Sequence, residues 1–371
     1  MAIDINKILD EARALGCSDL HFTVGIPPIV RQGGNLRKLS SYPDMTEIEI
    51  LKICEDMCTD KQRQSIKDHI DTDFTYVSSR GFRHRVNVYR QRGNTAIALR
   101  LLRNDIPTLT DLDLPPILAE FSMRPRGLVL VTGPTGSGKS TTLYAALGEI
   151  SKPSNNVITV EDPVEKKIEG VNQCQINEKA GMTFGAALRS ILRQDPDIIM
   201  VGEMRDTETA EIAIRAAITG HLVLSTLHTN DAASTVTRLV DMGVEAYMVA
   251  TSLIGIVAQR LTKVLCPECK KPRMSTEEEN ELMGLDHSVQ VYDPCGCPKC
   301  NNTGYKGRTA IHEILLATPS MQALITRGAK ADEIQELAKK EGCHLLRDNV
   351  SELVQQGKTS MDELIRVTYA V

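Results

Sequence analysis

Gly133-Pro134-Thr135-Gly136-Ser137-Gly138-Lys139-Ser140 is the stretch on which the reading of this chain turns. Its glycines, lysine and hydroxyl residue stand at the spacing of a phosphate-binding loop. The context fits as well. Leu128-Val129-Leu130-Val131 reads as a buried strand leading in, and Thr141 to Leu147 as the start of a helix leading out. Each residue type has a chemical reason to be there. Glycines let backbone N–H groups turn toward a phosphate, and the helix N-terminus adds positive potential. Lys139 reaches the β and γ oxygens, and the Ser140 hydroxyl is a Mg²⁺ ligand. The expected nucleotide contacts are therefore Gly133, Pro134, Thr135, Gly136, Ser137, Gly138, Lys139, Ser140 and Thr141, with ATP and Mg²⁺ as the implied ligands.

Working outward, Val157-Ile158-Thr159-Val160, Ile198-Ile199-Met200-Val201 and Leu222-Val223-Leu224 are further apolar strands separated by helical stretches. Strands apolar on both faces imply a parallel sheet covered by helices on both sides. In such sheets ligands sit in the crevice beyond the strand C-termini. Polar residues at those ends are thus candidates for the chemistry. Glu203 follows Val201-Gly202 and suits Mg²⁺ or its waters. Glu161-Asp162-Pro163-Val164-Glu165 places carboxylates near the γ-phosphate, where one could orient and deprotonate water. His221 and His228 bracket the strand that begins at Leu222.

The flanks organise themselves around this core. Residues 1–103 alternate helical and strand patterns, with strands expected at Ile29-Val30-Arg31 and from Phe82 to Tyr89, and a helix from Thr46 to Met57. Residues 104–116 are rich in turn formers and read as a linker. The nucleotide core spans 117–262, a cysteine-rich segment 263–308, and a helical tail 309–371. Ser360-Met361-Asp362-Glu363 fits a capping box for the last helix, and Gly357 a stop for the one before.

Cys266-Pro267-Glu268-Cys269 and Cys297-Pro298-Lys299-Cys300 are two knuckles with 27 residues between them. Four thiolates on two tight turns suit a closed, structural Zn²⁺ site. Cys295 stands two residues before the second knuckle and could compete as a ligand. Cys17, Cys54, Cys58, Cys174 and Cys343 are scattered and read as small apolar residues.

Bulk properties narrow the function classes. The 371 residues are 42% hydrophobic and 25% charged, the profile of a globular protein of two or three domains. No apolar run reaches the ~20 residues of a membrane span, and no signal-peptide pattern opens the chain, so a cytoplasmic protein is expected. A net charge of −5 weighs against a life on nucleic acid, although a zinc ribbon and the arginines between Arg80 and Arg103 keep a nucleic-acid-dependent ATPase as a remote alternative.

Four further stretches carry a family resemblance. They are Thr159-Val160-Glu161-Asp162-Pro163-Val164-Glu165, Leu192-Arg193-Gln194-Asp195-Pro196-Asp197, Val201-Gly202-Glu203-Met204-Arg205-Asp206, and Thr219-Gly220-His221 through Leu227-His228-Thr229-Asn230. In order, they resemble the aspartate box, Walker B region and histidine box of the type II secretion and type IV pilus motor ATPases. The resemblance implies a RecA-like α/β ATPase domain with a parallel sheet, preceded by a smaller α+β, PAS-like domain and followed by a zinc-knuckle and helical subdomain. It implies Glu165 as catalytic glutamate, Glu203 as Walker B glutamate, and His221 and His228 as γ-phosphate sensors. Ser18-Asp19-Leu20-His21 and Pro27-Pro28-Ile29-Val30-Arg31 resemble the family's N-terminal domain, whose two phosphate-facing arginines match Arg85 and Arg100.

The implied function is an ATP-hydrolysing homohexamer at the cytoplasmic face of the inner membrane, reaching it through a platform protein. No nucleic acid is expected. The knuckles and Asn302 to Glu313 look like the assembly and secretion type. The short N-terminus looks like the retraction type, which keeps pilus retraction as the alternative, though the tail lacks that type's Ala-Ile-Arg-Asn-Leu-Ile-Arg-Glu motif.

Overall fold

A computed structural model of the chain describes residues 3–32, 35–101 and 106–369, which divide into two units, Met1–Asp105 and Ile106–Val371. The expected boundary at residue 103 and the first linker residues, Asn104 and Asp105, lie outside the described residues.

In the first unit the chain runs α1 (Ile5–Ala14), β1 (Cys17–Phe22), β2 (Ile29–Gln32), β3 (Asn35–Lys38), α2 (Glu47–Met57) and α3 (Asp60–Lys67). It ends with β4 (Thr72–Val77), β5 (Arg83–Gln91) and β6 (Asn94–Leu101). The strands form one antiparallel sheet in the order β3-β2-β1-β6-β5-β4. Period-two alternation sends Leu20, Phe22, Val86, Val88, Ile97 and Leu99 to one face, where they pack with Ile8, Leu9, Ile50 and Ile53 of the helices. The helix from Thr46 is set by a reciprocal cap: Thr46 N–H donates to the Glu49 carboxylate, and Glu49 N–H donates to Thr46 Oγ1.

The second unit opens with α4 (Ile117–Ser122), β7 (Gly127–Thr132), α5 (Lys139–Ile150), β8 (Val157–Glu161), β9 (Val171–Gln175) and α6 (Phe184–Ile191). It continues through β10 (Ile198–Val201), α7 (Thr207–Thr219), β11 (Leu222–Leu227), α8 (Ala232–Asp241), α9 (Ala246–Ser252) and β12 (Leu253–Leu265). Then follow β13 (Lys271–Met274), α10 (Glu277–Met283), β14 (Gln290–Asp293) and β15 (Tyr305–Leu316). The tail is α11 (Pro319–Thr326), α12 (Ala331–Lys340), α13 (Leu346–Gln355) and α14 (Met361–Tyr369). Seven strands make the main sheet in the order β15-β12-β7-β11-β10-β8-β9. The six from β12 to β9 are parallel and β15 is antiparallel to β12.

Every residue of β7 is buried, because both faces of the sheet are covered. Leu128 and Leu130 face one core with Ala210, Ile214 and the tail helices. Val129 and Val131 face another with Leu143, Leu147 and Phe121. Ile106, Leu109, Leu112 and Leu114 pack into this second core too, so most of the linker's apolar residues belong to the second unit.

Two details differ from the sequence reading. Residues 305–316 are an edge strand of the main sheet, paired with β12 from Tyr305↔Leu265 to Leu316↔Gly255, so the tail is helical only from Pro319. The Ser360–Glu363 capping box does not form. Glu363 is buried and accepts from Thr262 Oγ1 at 3.2 Å, Lys263 N–H at 3.0 Å and Arg366 Nη2 at 2.6 Å, while Ser360 Oγ shares a hydrogen bond with Tyr305. The Glu363 carboxylate is turned instead toward β12 and Arg366, with Lys263 Nζ 3.5 Å from its other oxygen. Among the described residues no helix is long and apolar enough to cross a membrane.

Candidate nucleotide site and cysteine cluster

The end of β7 releases the chain into a loop that only glycine can follow. Gly133 has φ +143°, and a Cβ there would lie 2.3 Å from the Gln259 carbonyl oxygen. Gly138 has φ +89° and directly precedes α5, so the first N–H groups of that helix face the loop's concavity. Lys139 is almost fully buried. Its Nζ donates to the carbonyls of Gly133 at 2.7 Å and Pro134 at 3.2 Å. Burial pushes the Lys139 ammonium below its ordinary pKa, and the nearby Glu203 carboxylate opposes that shift.

A cavity of about 310 Å³ lies over this loop. Thr135 to Thr141 line it on one side, and Glu161, Asp162, Glu165, Glu203 and His228 on the other. These residues stand at the C-terminal ends of β8, β10 and β11, where parallel strands present their ligand-binding edge. Glu203 is placed by its own strand tip: Thr226 Oγ1 donates to Gly202 O at 2.7 Å, and Gly202 N–H donates to Val160 O at 2.8 Å. Its carboxylate pairs with Arg205 and lies 3.5 Å from His228 Nε2. Ser140 and Glu203 thus offer two hard oxygen donors to one cavity, a set that fits Mg²⁺. His221 is at the other end of β11, its Nδ1 3.0 Å from Ala216 O. The full length of the strand separates it from His228, so the chain itself brings only His228 to the cavity.

Two groups escaped the sequence reading as functional residues. Tyr144 is buried in α5, donates its hydroxyl to the Glu161 carboxyl, and accepts the N–H of Glu165 at 3.1 Å and of Lys166 at 3.3 Å. Glu161 also accepts from Thr159 Oγ1 at 2.5 Å and Gln173 Nε2 at 3.1 Å. The exposed Glu165 is therefore anchored through its backbone to a buried polar network. Gln259 is the second, buried on β12 with its side-chain amide against the Ser137 carbonyl of the loop. Tyr144 is five residues past Lys139, in a run that otherwise reads as plain core, and no local pattern marks either residue.

In the first unit, Arg85 and Arg100 are cross-strand partners on the face opposite the core. Asp19 is next in the row and binds Arg100 Nε at 3.0 Å, with Arg31 Nε at 3.8 Å. Burial alone would raise the Asp19 pKa, but hydrogen bonds from Ser18 and Arg100 outweigh it and hold the carboxyl below its usual range. Arg80 pairs with Asp10 at 3.1 Å and Arg90 with Glu47 at 3.3 Å, ordinary ion pairs within this unit.

The sulfur atoms of Cys266, Cys269, Cys297 and Cys300 all lie within 4.8 Å of one another. The separations 266–297, 269–300 and 297–300 are 3.9, 3.8 and 3.7 Å. A tetrahedron of Zn–S bonds near 2.3 Å needs about 3.8 Å between sulfurs, so the residues fit a closed zinc site. The N–H groups of Cys297 and Gly304 point at Cys300 Sγ at 3.2 and 3.3 Å, which favours a thiolate. Cys295 is exposed and outside the cluster, its thiol directed at Asp293 O. The knuckles also clip the tail: Leu265 N–H donates to Lys358 O at 2.8 Å and Lys270 Nζ to Gly357 O at 2.7 Å.

Residues 1–366 match the family described as "Type II/IV secretion system protein". The chain belongs to that family. "Type II secretion system ATPase E" of Vibrio cholerae is 41% identical over 98% of this chain and 74% of its own length. "Type II secretion system protein E" of Aeromonas hydrophila is 49% identical over 68% of this chain, but the match spans only half of that relative. Among solved structures, the pilus retraction motor PilT with bound ADP is 34% identical with a TM-score of 0.79, covering 98% of this chain and 97% of that one. Family membership accounts for the RecA-like sheet with the loop at the end of an inner strand, β7, and for the smaller α+β unit before it.

Proposed function

We propose that this chain is a Mg²⁺-dependent ATPase that works as a homohexameric motor at the cytoplasmic face of the inner membrane, extending a type II secretion pseudopilus or a type IV pilus through a platform protein. The observation that carries the proposal is the convergence of Lys139, Ser140, Glu203 and Glu165 on one cavity at the C-terminal edge of the sheet. Loop N–H groups and Lys139 hold the β- and γ-phosphates of ATP. Mg²⁺, held by Ser140 and Glu203, supplies charge neutralisation on the phosphate oxygens when bound. Glu165 accepts a proton from water as its oxygen attacks the γ-phosphorus, and the bond to ADP breaks. His228 touches Glu203 and reports on the phosphate. The proposal extends to Arg85, Arg100 and His221 as residues required for turnover in the assembled protein, and to Zn²⁺ as the ion of the four cysteines.

Retraction is the second reading, favoured by the likeness to PilT along nearly its whole length. The relatives named for type II secretion support the first. Cells whose only copy carries Glu165→Gln separate the two. Bare or non-secreting cells support the extension motor, and excess filaments that never shorten support retraction. Normal cells, with turnover of the purified chain stimulated by DNA or RNA and suppressed by salt, would instead overturn both in favour of a nucleic-acid-dependent enzyme.

A further inference from the structure

Gln259 is one of the most buried polar residues of the second unit, at 2% exposure, and it does not line the nucleotide cavity. It lies on β12, one residue past Ala258, which is paired with Thr132, the last residue of β7. Where β7 ends and the loop begins, β12 therefore runs on beside the loop for several residues. The Gln259 side chain turns beneath it. Nε2 donates to the Ser137 carbonyl at 2.8 Å, and Oε1 accepts from Thr142 Oγ1 at 2.7 Å. Ser137 O can only accept, which fixes the amide's orientation. One side chain thus ties the tip of the loop to the first turn of α5.

From this clasp we infer that Gln259, seconded by Thr142, is a positioning residue that pre-sets the phosphate-binding loop for nucleotide. The reason lies in the peptide between Ser137 and Gly138. In a planar trans peptide the C=O and the following N–H point in opposite directions. Drawing the Ser137 oxygen down to Gln259 turns the Gly138 N–H up toward the cavity that Gly138 lines. A donor aimed in advance loses no orientational freedom when phosphate arrives. The same packing explains the glycine: a Cβ on Gly138 would meet Gln259 Nε2 at 2.9 Å. Thr142 is itself buried, at 1% exposure, and its hydroxyl stops the amide from rotating away.

The inference rests on the proposed nucleotide site, and its test separates the two. MgADP binding to the full chain is measured by calorimetry for wild type, Gln259→Met and Thr142→Val, alongside steady-state ATP hydrolysis and the melting of each protein without nucleotide. Gln259→Met keeps the volume and removes both hydrogen bonds. We expect roughly tenfold weaker MgADP binding, about 1.4 kcal/mol, with KM for ATP raised in proportion and kcat within about threefold. Thr142→Val removes one end of the clasp and should weaken binding roughly threefold, which keeps the idea testable if Gln259→Met does not fold. A purely structural glutamine would lower the melting temperature and leave the affinity and KM of the folded protein unchanged, and that result overturns the inference while leaving the nucleotide site intact. No binding by the wild type would overturn the nucleotide site, and the inference with it.

Discussion

Replacing Tyr144 by Phe removes a single oxygen atom that stands between a buried carboxyl and the backbone of Glu165. Tyr144 and Glu161 are each only 3% exposed, so the hydrogen bond between them is largely shielded although both border the cavity. A hydrogen bond to such a group contributes about 1.5–3 kcal/mol, and Glu161 keeps its bonds from Thr159 and Gln173. On the other side, the N–H groups of Glu165 and Lys166 are nearer solvent and regain water at little cost. The expected loss of stability is therefore about 2 kcal/mol, read by urea denaturation. The functional consequence is larger. Without its anchor the Glu165 segment samples other positions, and turnover should fall roughly tenfold while MgADP affinity stays within about twofold. Denaturation and ATP hydrolysis measured on the same preparation decide the matter. Lower stability with unchanged turnover would refute the idea that the hydroxyl positions Glu165. No change in either would refute the network as a whole.

Other consequences are as direct. Gly133→Ala forces a Cβ to within 2.3 Å of the Gln259 oxygen at φ +143°, so it should destabilise by about 1–3 kcal/mol and abolish measurable MgADP binding in calorimetry. Cys297→Ser should lower bound zinc, measured by elemental analysis, from one per chain to none, and should loosen the clipped tail by several kcal/mol in urea denaturation. His84 is fully buried, and desolvation together with the Arg13 charge pushes its pKa down to about 4. Because the unfolded chain binds that proton near pH 6.5, the stability His84 confers is complete above 6.5 and declines as pH falls toward 4, by about 2 kcal/mol at pH 5. A His84→Phe variant should show a correspondingly flatter stability profile between pH 7 and pH 5; an equally steep one would point to other groups.

The parts of the molecule that were legible in the sequence are those whose signals are local. The strand, loop and helix around Lys139 announce themselves through an apolar run, obligatory glycines and a helix start within a few residues of one another. The parallel strands β7, β8, β10 and β11 are equally plain, because burial on both faces leaves them mostly apolar; β9, with Asn172, Gln173 and Gln175, is not. β12 and β15 were not. β12 follows α9 without a glycine or proline to mark the break, and β15 mixes Lys306, Arg308 and Glu313 into a strand whose only warrant is pairing with a segment some fifty residues away. The same non-locality hid Gln259, which reaches a loop more than a hundred residues earlier in the chain. His221 and His228 look alike in sequence, yet parallel strand direction sends one to the ligand edge and the other to the opposite rim.

The most direct test of the account is release of inorganic phosphate from MgATP by the purified chain, compared with Lys139→Ala. The account predicts steady turnover by the wild type and none above background for the variant, with both proteins folded by circular dichroism. Equal turnover by the two would contradict the assignment of the site, and none by either would contradict the assignment of the activity to this chain.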